Sequence, residues 1–135
     1  MVQREVAERM VASPGGKDYG ILTLACRYHA GVEVIAPVGR EAFFPRPEVD
    51  SALVKFRILK EPRVRVGDEK LLFSLIRASF GQRRKTLRNA ILADRRLALK
   101  EKELRRALGE AKIEGGRRGE TLSLEEFACL SNVLK

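Results

Sequence analysis

Apolar residues change their spacing along this 135-residue chain, and each change marks a change of element. Val2, Val6, Met10 and Val11 recur at helical intervals with Arg4, Glu5, Glu8 and Arg9 between them, which predicts an amphipathic helix over 2–11. Ser13-Pro14-Gly15-Gly16 ends it, because proline and glycine interrupt helical backbone. From Tyr19 to Ala30 the residues Ile21, Leu22, Leu24, Ala25 and Tyr28 cover most of a helix circumference, so this second helix is expected to be largely buried. The period then shortens to two. Val32 to Pro37 reads as a strand, and Ala52 to Ile58 sets Leu53, Lys55 and Arg57 against Val54, Phe56 and Ile58.

Two strands separated by Val38 to Ser51 make a hairpin with a long connection. Its stretch Phe43-Phe44-Pro45-Arg46-Pro47-Glu48-Val49-Asp50-Ser51 is stiff, since each proline restricts itself and the residue before it. A long, stiff loop is more often functional than filler. Lys60-Glu61-Pro62 reads as a linker to a helical remainder. There Leu71, Leu72, Leu75, Ile76 and Phe80 form one apolar stripe, broken by Gly81. Leu87 and Ile91 mark a second helix, and Leu97, Leu104 and Leu108 a third. Ser123-Leu124-Glu125-Glu126 is a capping-box pattern ahead of Phe127, Leu130 and Leu134.

This pattern predicts two domains, an α/β segment over residues 1–60 and an all-α segment over 61–135. The first makes a poor domain alone, because an isolated hairpin is marginal and its edges expose unpaired backbone groups. It looks like the end of a larger sheet.

With 44% hydrophobic and 33% charged residues, the composition is that of a globular chain. Charge sharpens the picture: 27 Lys and Arg against 18 Asp and Glu give +9, which favours a polyanionic partner. Between Arg77 and Arg106 lie eleven basic and three acidic residues, leaving 16 basic and 15 acidic elsewhere. One segment therefore holds almost the whole excess. Cys26, Cys129 and the single His29 lack metal-ligand spacing, and both cysteines read as small core residues in a reducing compartment. No apolar run approaches the roughly 18 residues a membrane span needs, and no signal-peptide pattern opens the chain, so a cytoplasmic location without membrane partners is expected.

Two features carry candidate chemistry. On a continuous helix Arg84 and Arg88, and Lys85 and Arg88, would share a face and grip adjacent phosphates, with Arg83 beside them. A solvated helix face is the competing reading, and the regional surplus favours nucleic acid. In the stiff loop an aromatic ring can stack on an unpaired base. Phe43 and Phe44 can equally plug the end of the sheet, which composition alone favours.

Five blocks of residues are recognisable in order: Gln3-Arg4-Glu5-Val6-Ala7-Glu8-Arg9, Lys17-Asp18-Tyr19-Gly20, Phe43-Phe44-Pro45-Arg46-Pro47-Glu48-Val49-Asp50-Ser51-Ala52, Phe80-Gly81-Gln82-Arg83-Arg84-Lys85-Thr86-Leu87-Arg88-Asn89 and Arg118-Gly119-Glu120-Thr121-Leu122-Ser123-Leu124-Glu125-Glu126-Phe127. Together they resemble the carboxy-terminal half of the bacterial small-subunit ribosomal RNA adenine dimethyltransferases. The resemblance implies a Rossmann-like methyltransferase domain that binds S-adenosylmethionine, followed by a small helical domain that docks on ribosomal RNA. Against that pattern Met1 to Gln3 resembles the end of the fifth strand, and the next segments resemble the last two helices and the antiparallel hairpin of the sheet. The fold expected is thus a carboxy-terminal remnant of that sheet followed by a small α-helical domain. Phe43 falls on the family position whose ring stacks against the target adenine.

The family's glycine-rich donor-binding turn and its Asn-Leu-Pro-Tyr type motif have no counterpart here. Pro14-Gly15-Gly16-Lys17-Asp18-Tyr19-Gly20 has the wrong glycine spacing and follows a helix rather than a strand. The full-length family enzyme uses S-adenosylmethionine, whereas this chain alone is expected to bind small-subunit ribosomal RNA or its 30S precursor, to bind no cofactor or metal, and to transfer no methyl group. A stand-alone RNA- or DNA-binding module without catalysis is the alternative. Self-association through the exposed sheet edge is a further expectation.

Overall fold

The computed structural model describes residues 1–134, which form two compact units: Met1–Ser13 with Asp18–Arg63, and Pro14–Lys17 with Val64 onward. In the first unit β1 (Val2–Gln3), β2 (Ala30–Val38) and β3 (Ser51–Ile58) make an antiparallel sheet in the order β1-β3-β2. Helices α1 (Arg4–Met10) and α2 (Ile21–His29) pack beside it. The helix predicted from Val2 therefore starts two residues later, because Val2 and Gln3 pair with Ala52 and Ser51. That strand is the one the family resemblance implied. The Arg4 N–H, which no intrahelical carbonyl can take, donates to Asp50 O at 2.9 Å.

Thr23 joins the two helices. Its hydroxyl accepts the Gly20 N–H at 3.2 Å and donates to Arg9 O. Tyr19, Leu24 and Tyr28 are buried, but Ile21 and Leu22 are 41% and 37% exposed, so α2 is less enclosed than its apolar circumference predicted. The structure shows Lys60-Glu61-Pro62 tied down at both sides. Leu59 N–H donates to His29 O at 3.0 Å, and Arg63 donates through N, Nε and Nη2 to Tyr28 O, Arg27 O and Ala30 O at 3.0, 2.8 and 3.0 Å. Those are carbonyls at or beside the α2 end, which lack helical donors.

The hairpin register runs from Ala30 opposite Ile58 to Val38 opposite Ser51, with Ile35 as the extra residue of a bulge. Directly opposed residues share a face. Ala30, Val32 and Val34 therefore lie with Ile58, Phe56 and Val54, and Gly31 and Glu33 lie with Arg57 and Lys55. Val34, Phe56 and Ile58 remain 40%, 44% and 72% exposed. The alternation is as predicted, yet it leaves an apolar surface in place of a core.

The helical unit contains α3 (Glu69–Gly81), α4 (Leu87–Ala93), α5 (Glu101–Glu110) and α6 (Leu124–Leu134). Asp68 starts α3 by accepting the Leu71 N–H at 3.1 Å. Ser123 and Glu126 close the predicted capping box, with Glu126 N to Ser123 Oγ at 3.2 Å and Ser123 N to Glu126 Oε1 at 3.1 Å. Leu72, Leu75, Ile76, Leu87, Ile91, Leu104, Leu122, Leu124, Phe127 and Leu130 are fully buried and supply the core. A side chain at Gly119 would stand 2.7 Å from Ser79 Cβ, so only glycine permits the approach of the 119–121 turn to α3. Cys26 is half-buried and burial raises its thiol pKa, whereas Cys129 is exposed on α6 rather than in the core. Among the described residues no group of three His, Cys, Asp or Glu is placed to hold a metal, and no helix is long and apolar enough to cross a membrane.

Candidate nucleic-acid interface

Arg83, Arg84 and Lys85 lie in the turn between α3 and α4, where the Lys85 N–H donates to Gln82 O at 2.9 Å. This corrects the shared helix face predicted for Arg84, Lys85 and Arg88. Gly81 is the last residue of α3, and Thr86 begins a new helix by accepting the Asn89 N–H at 3.3 Å, so the cations do not follow one helical period.

The four residues have different surroundings. Arg83 donates from Nη1 to Lys17 O at 3.2 Å, and its guanidinium lies 5.9 Å from the centroid of the Phe80 ring, a cation–π distance. The Phe80 ring is 6.3 Å from that of Phe127, so Arg83 ties the turn to the core. Arg88 is half-buried in the first turn of α4, with its N–H donated to Gly115 O at 3.2 Å. Arg84 and Lys85 are exposed, and no ion pair among the described residues involves either. They can meet a phosphate without giving up an intramolecular partner.

In the sheet unit a short 3-10 turn over Arg40–Ala42 leads into Phe43. Asp50 closes this loop: its Oδ1 accepts the Arg40 N–H at 3.0 Å and Nε–H at 3.4 Å, while Arg40 Nη1 donates to Glu48 O at 2.9 Å. The Arg40 N–H, followed by the Arg40 and Arg4 charges, holds the Asp50 carboxyl below the usual range. The loop is thus fixed by hydrogen bonds as well as by its prolines. Phe43 is half-buried and Phe44 is 101% exposed. Phe44 therefore does not plug the sheet end. Its ring stands in the open beside the half-buried Phe43, a difference that composition does not reveal.

Comparison with known proteins places the chain in a family. The profile of the family described as ribosomal RNA adenine dimethylase matches residues 1–129. Ribosomal RNA small subunit methyltransferase A of Geobacillus sp. (strain WCH70) is 47% identical over 137 residues, covering 100% of this chain and 47% of that protein. The protein of the same name from Bacillus cytotoxicus is 50% identical over 99% of this chain and 46% of its own length. The chain thus spans about half the length of the curated relatives it matches. Among solved structures, a dimethyladenosine transferase from Plasmodium falciparum aligns with a TM-score of 0.72 at 25% identity, over 95% of this chain and 53% of that one. The 23S rRNA methyltransferase ErmE shares the fold at a TM-score of 0.60 and 24% identity, over 98% of this chain and 52% of that one. With the family profile matched from Met1 to Cys129, the chain belongs to the ribosomal RNA adenine dimethylase family.

Proposed function

We propose that this chain is the RNA-holding, carboxy-terminal half of an S-adenosylmethionine-dependent adenine N6,N6-dimethyltransferase that acts on small-subunit ribosomal RNA during cytoplasmic ribosome biogenesis. The observation that carries this reading is identity of 47% and 50%, over 100% and 99% of this chain, with proteins named ribosomal RNA small subunit methyltransferase A. Arg84 and Lys85 grip the phosphate backbone, with Arg83 holding their turn and Arg88 at the start of α4. Phe43 stacks on the target adenine once it has left its helix. The amine of adenine is a weak nucleophile because its lone pair is delocalised into the ring, so holding the base in one orientation is a large part of catalysis.

S-adenosylmethionine would supply the electrophilic methyl group. The residues present do not fit a cradle for it. Gly15 follows a helix, its N–H is donated to Glu120 O at 2.7 Å, and β1 runs into α1 with no glycine between. In this reading the chain alone binds 30S precursor RNA without transferring methyl groups.

The test is transfer of labelled methyl from S-adenosylmethionine to small-subunit precursor RNA. The chain alone should give none, and its fusion to the amino-terminal half of the Geobacillus relative should restore transfer. Phe43→Ala in the fusion should slow the reaction roughly 5- to 150-fold, the equivalent of about 1–3 kcal/mol of base stacking. Transfer by the chain unaided, or a folded fusion that ignores small-subunit RNA, contradicts the proposal. A stand-alone nucleic-acid-binding module is the second reading, favoured by one observation: the unit bearing the basic turn has its own buried core.

A further inference from the structure

We infer that the helical unit carries a second site for the RNA backbone, a cleft of about 360 Å³ at the carboxy-terminal ends of α3 and α4 where Arg77, Arg95 and Arg96 bind a phosphate. This rests on the reading of the chain as an RNA-holding module. It places a contact outside the Arg83–Lys85 turn.

The cleft exists because both helices present small residues there. Ala78 and Gly81 are three apart on α3, Ala90 and Ala93 are three apart on α4, and all four line the space. A Cβ added at Gly81 would meet nothing within 4 Å. Three arginines and one acidic residue, Asp94, also line the cleft. Asp94 is already engaged: Oδ1 accepts the Arg96 N–H at 2.9 Å and lies 3.5 Å from Arg96 Nε. Among the described residues Arg77 and Arg95 enter no ion pair.

A purely structural role for these arginines is to offset the negative ends of the two helix dipoles. Those ends together amount to about one negative charge, and Asp94 adds another. Three guanidiniums still leave a surplus of about one positive charge. Planar, weakly hydrated guanidiniums match the oxygens of a phosphate, and the charged rim does not suit an apolar ligand. Gln82 lines the cleft and also begins the turn that carries Arg84 and Lys85, so a polyanion can engage turn and cleft in succession.

The test is titration of a small-subunit ribosomal RNA fragment with the whole chain over a series of salt concentrations. Arg77→Gln with Arg95→Gln should weaken binding about tenfold or more at low salt and lower the log–log salt slope by about 1.5–2. Ala93→Leu fills the cleft and keeps every charge, and it should weaken binding about three- to tenfold. Arg77, Arg95 and Ala93 are all exposed, so thermal melting should stay as in the parent chain. Full affinity in Ala93→Leu beside weakened arginine variants would show diffuse charge attraction and overturn the cleft site. Full affinity in all variants, with parent binding intact, would overturn the cleft alone. A parent chain that does not bind small-subunit RNA would overturn both the cleft and the proposed function.

Discussion

Arg117 and Glu126 form a two-point ion pair, Nη1 donating to Oε2 and Nη2 to Oε1, the second bond at 3.1 Å. Glu126 Oε1 also accepts the Ser123 N–H, which makes the same carboxylate part of the α6 cap. Arg117 donates to Thr121 O at 2.6 Å and to Thr121 Oγ1 at 3.2 Å, and its own carbonyl accepts the Leu87 N–H at 2.6 Å. One arginine therefore ties together the start of α6, the 119–121 turn and the start of α4, next to the basic turn.

Arg117→Met keeps much of the stem and strands the carboxylate. The side chains are 31% and 34% exposed, so the expected loss lies toward the low end of about 1–3 kcal/mol. Each kcal/mol corresponds to a Tm fall of roughly 4–8 °C in a unit this size. Thermal melting checks it. An unchanged Tm would mean the pair contributes nothing net.

Acid should reveal the same pair. The Arg117 hydrogen bond, with the Ser123 N–H, holds Glu126 below its ordinary 4.5, and the Arg40 N–H holds Asp50 below its ordinary 3.8. Groups lowered in the folded state leave the unfolded chain to take up protons first. Their stabilisation is complete above those ordinary values and is lost as pH falls through the lowered ones. Tm should hold nearly constant from pH 7 to about 5.5 and drop below about 4.5. Glu126→Gln should lower Tm at neutral pH and make the acid drop shallower. An identical acid profile in the variant would contradict the assignment.

In the basic turn, Arg84→Glu with Lys85→Glu should reduce RNA affinity about tenfold or more and lower the salt slope by about 2, with melting unchanged. Arg83→Glu should weaken binding and also lower Tm, because it removes the bond to Lys17 O and the contact with the Phe80 ring. Binding assays paired with melts separate the two classes. Equal melts for the two variants would remove the anchoring role of Arg83.

Sheet pairing left β1 at one edge and β2 at the other, and Val34, Phe56 and Ile58 keep large exposed areas. Such edges and patches favour association. Sedimentation should show dimers or larger species as concentration rises, and Ile58→Lys should return the chain to monomer. A monomer at every concentration contradicts this.

Much of this was legible from residue spacing, with failures where tertiary contacts decide. The hairpin alternation, the α6 capping box and the α3 stripe are local signals, and all three appear in the structure. The two-residue β1 escapes a periodicity reading because Val2 and Val6 fit a helix equally well, and only Ala52 and Ser51, fifty residues away, decide the matter. The break between α3 and α4 was legible at Gly81, with Leu87 and Ile91 marking the next helix, but spacing alone set Arg84 and Lys85 on a helix face, whereas Thr86 caps α4 only after them. Exposure of Ile21, Leu22 and Cys129 depends on what packs against each helix face, which a single helix does not reveal. Likewise, the distinction between half-buried Phe43 and exposed Phe44, which follow the 3-10 turn, depends on what packs against each ring.

In the proposed function this chain holds small-subunit ribosomal RNA specifically rather than any polyanion. Competition between a small-subunit ribosomal RNA fragment and duplex DNA, measured at about 50 and 200 mM salt, addresses it most directly. A preference for the RNA that survives the higher salt is expected. Equal affinity for both, falling equally steeply with salt, would contradict it.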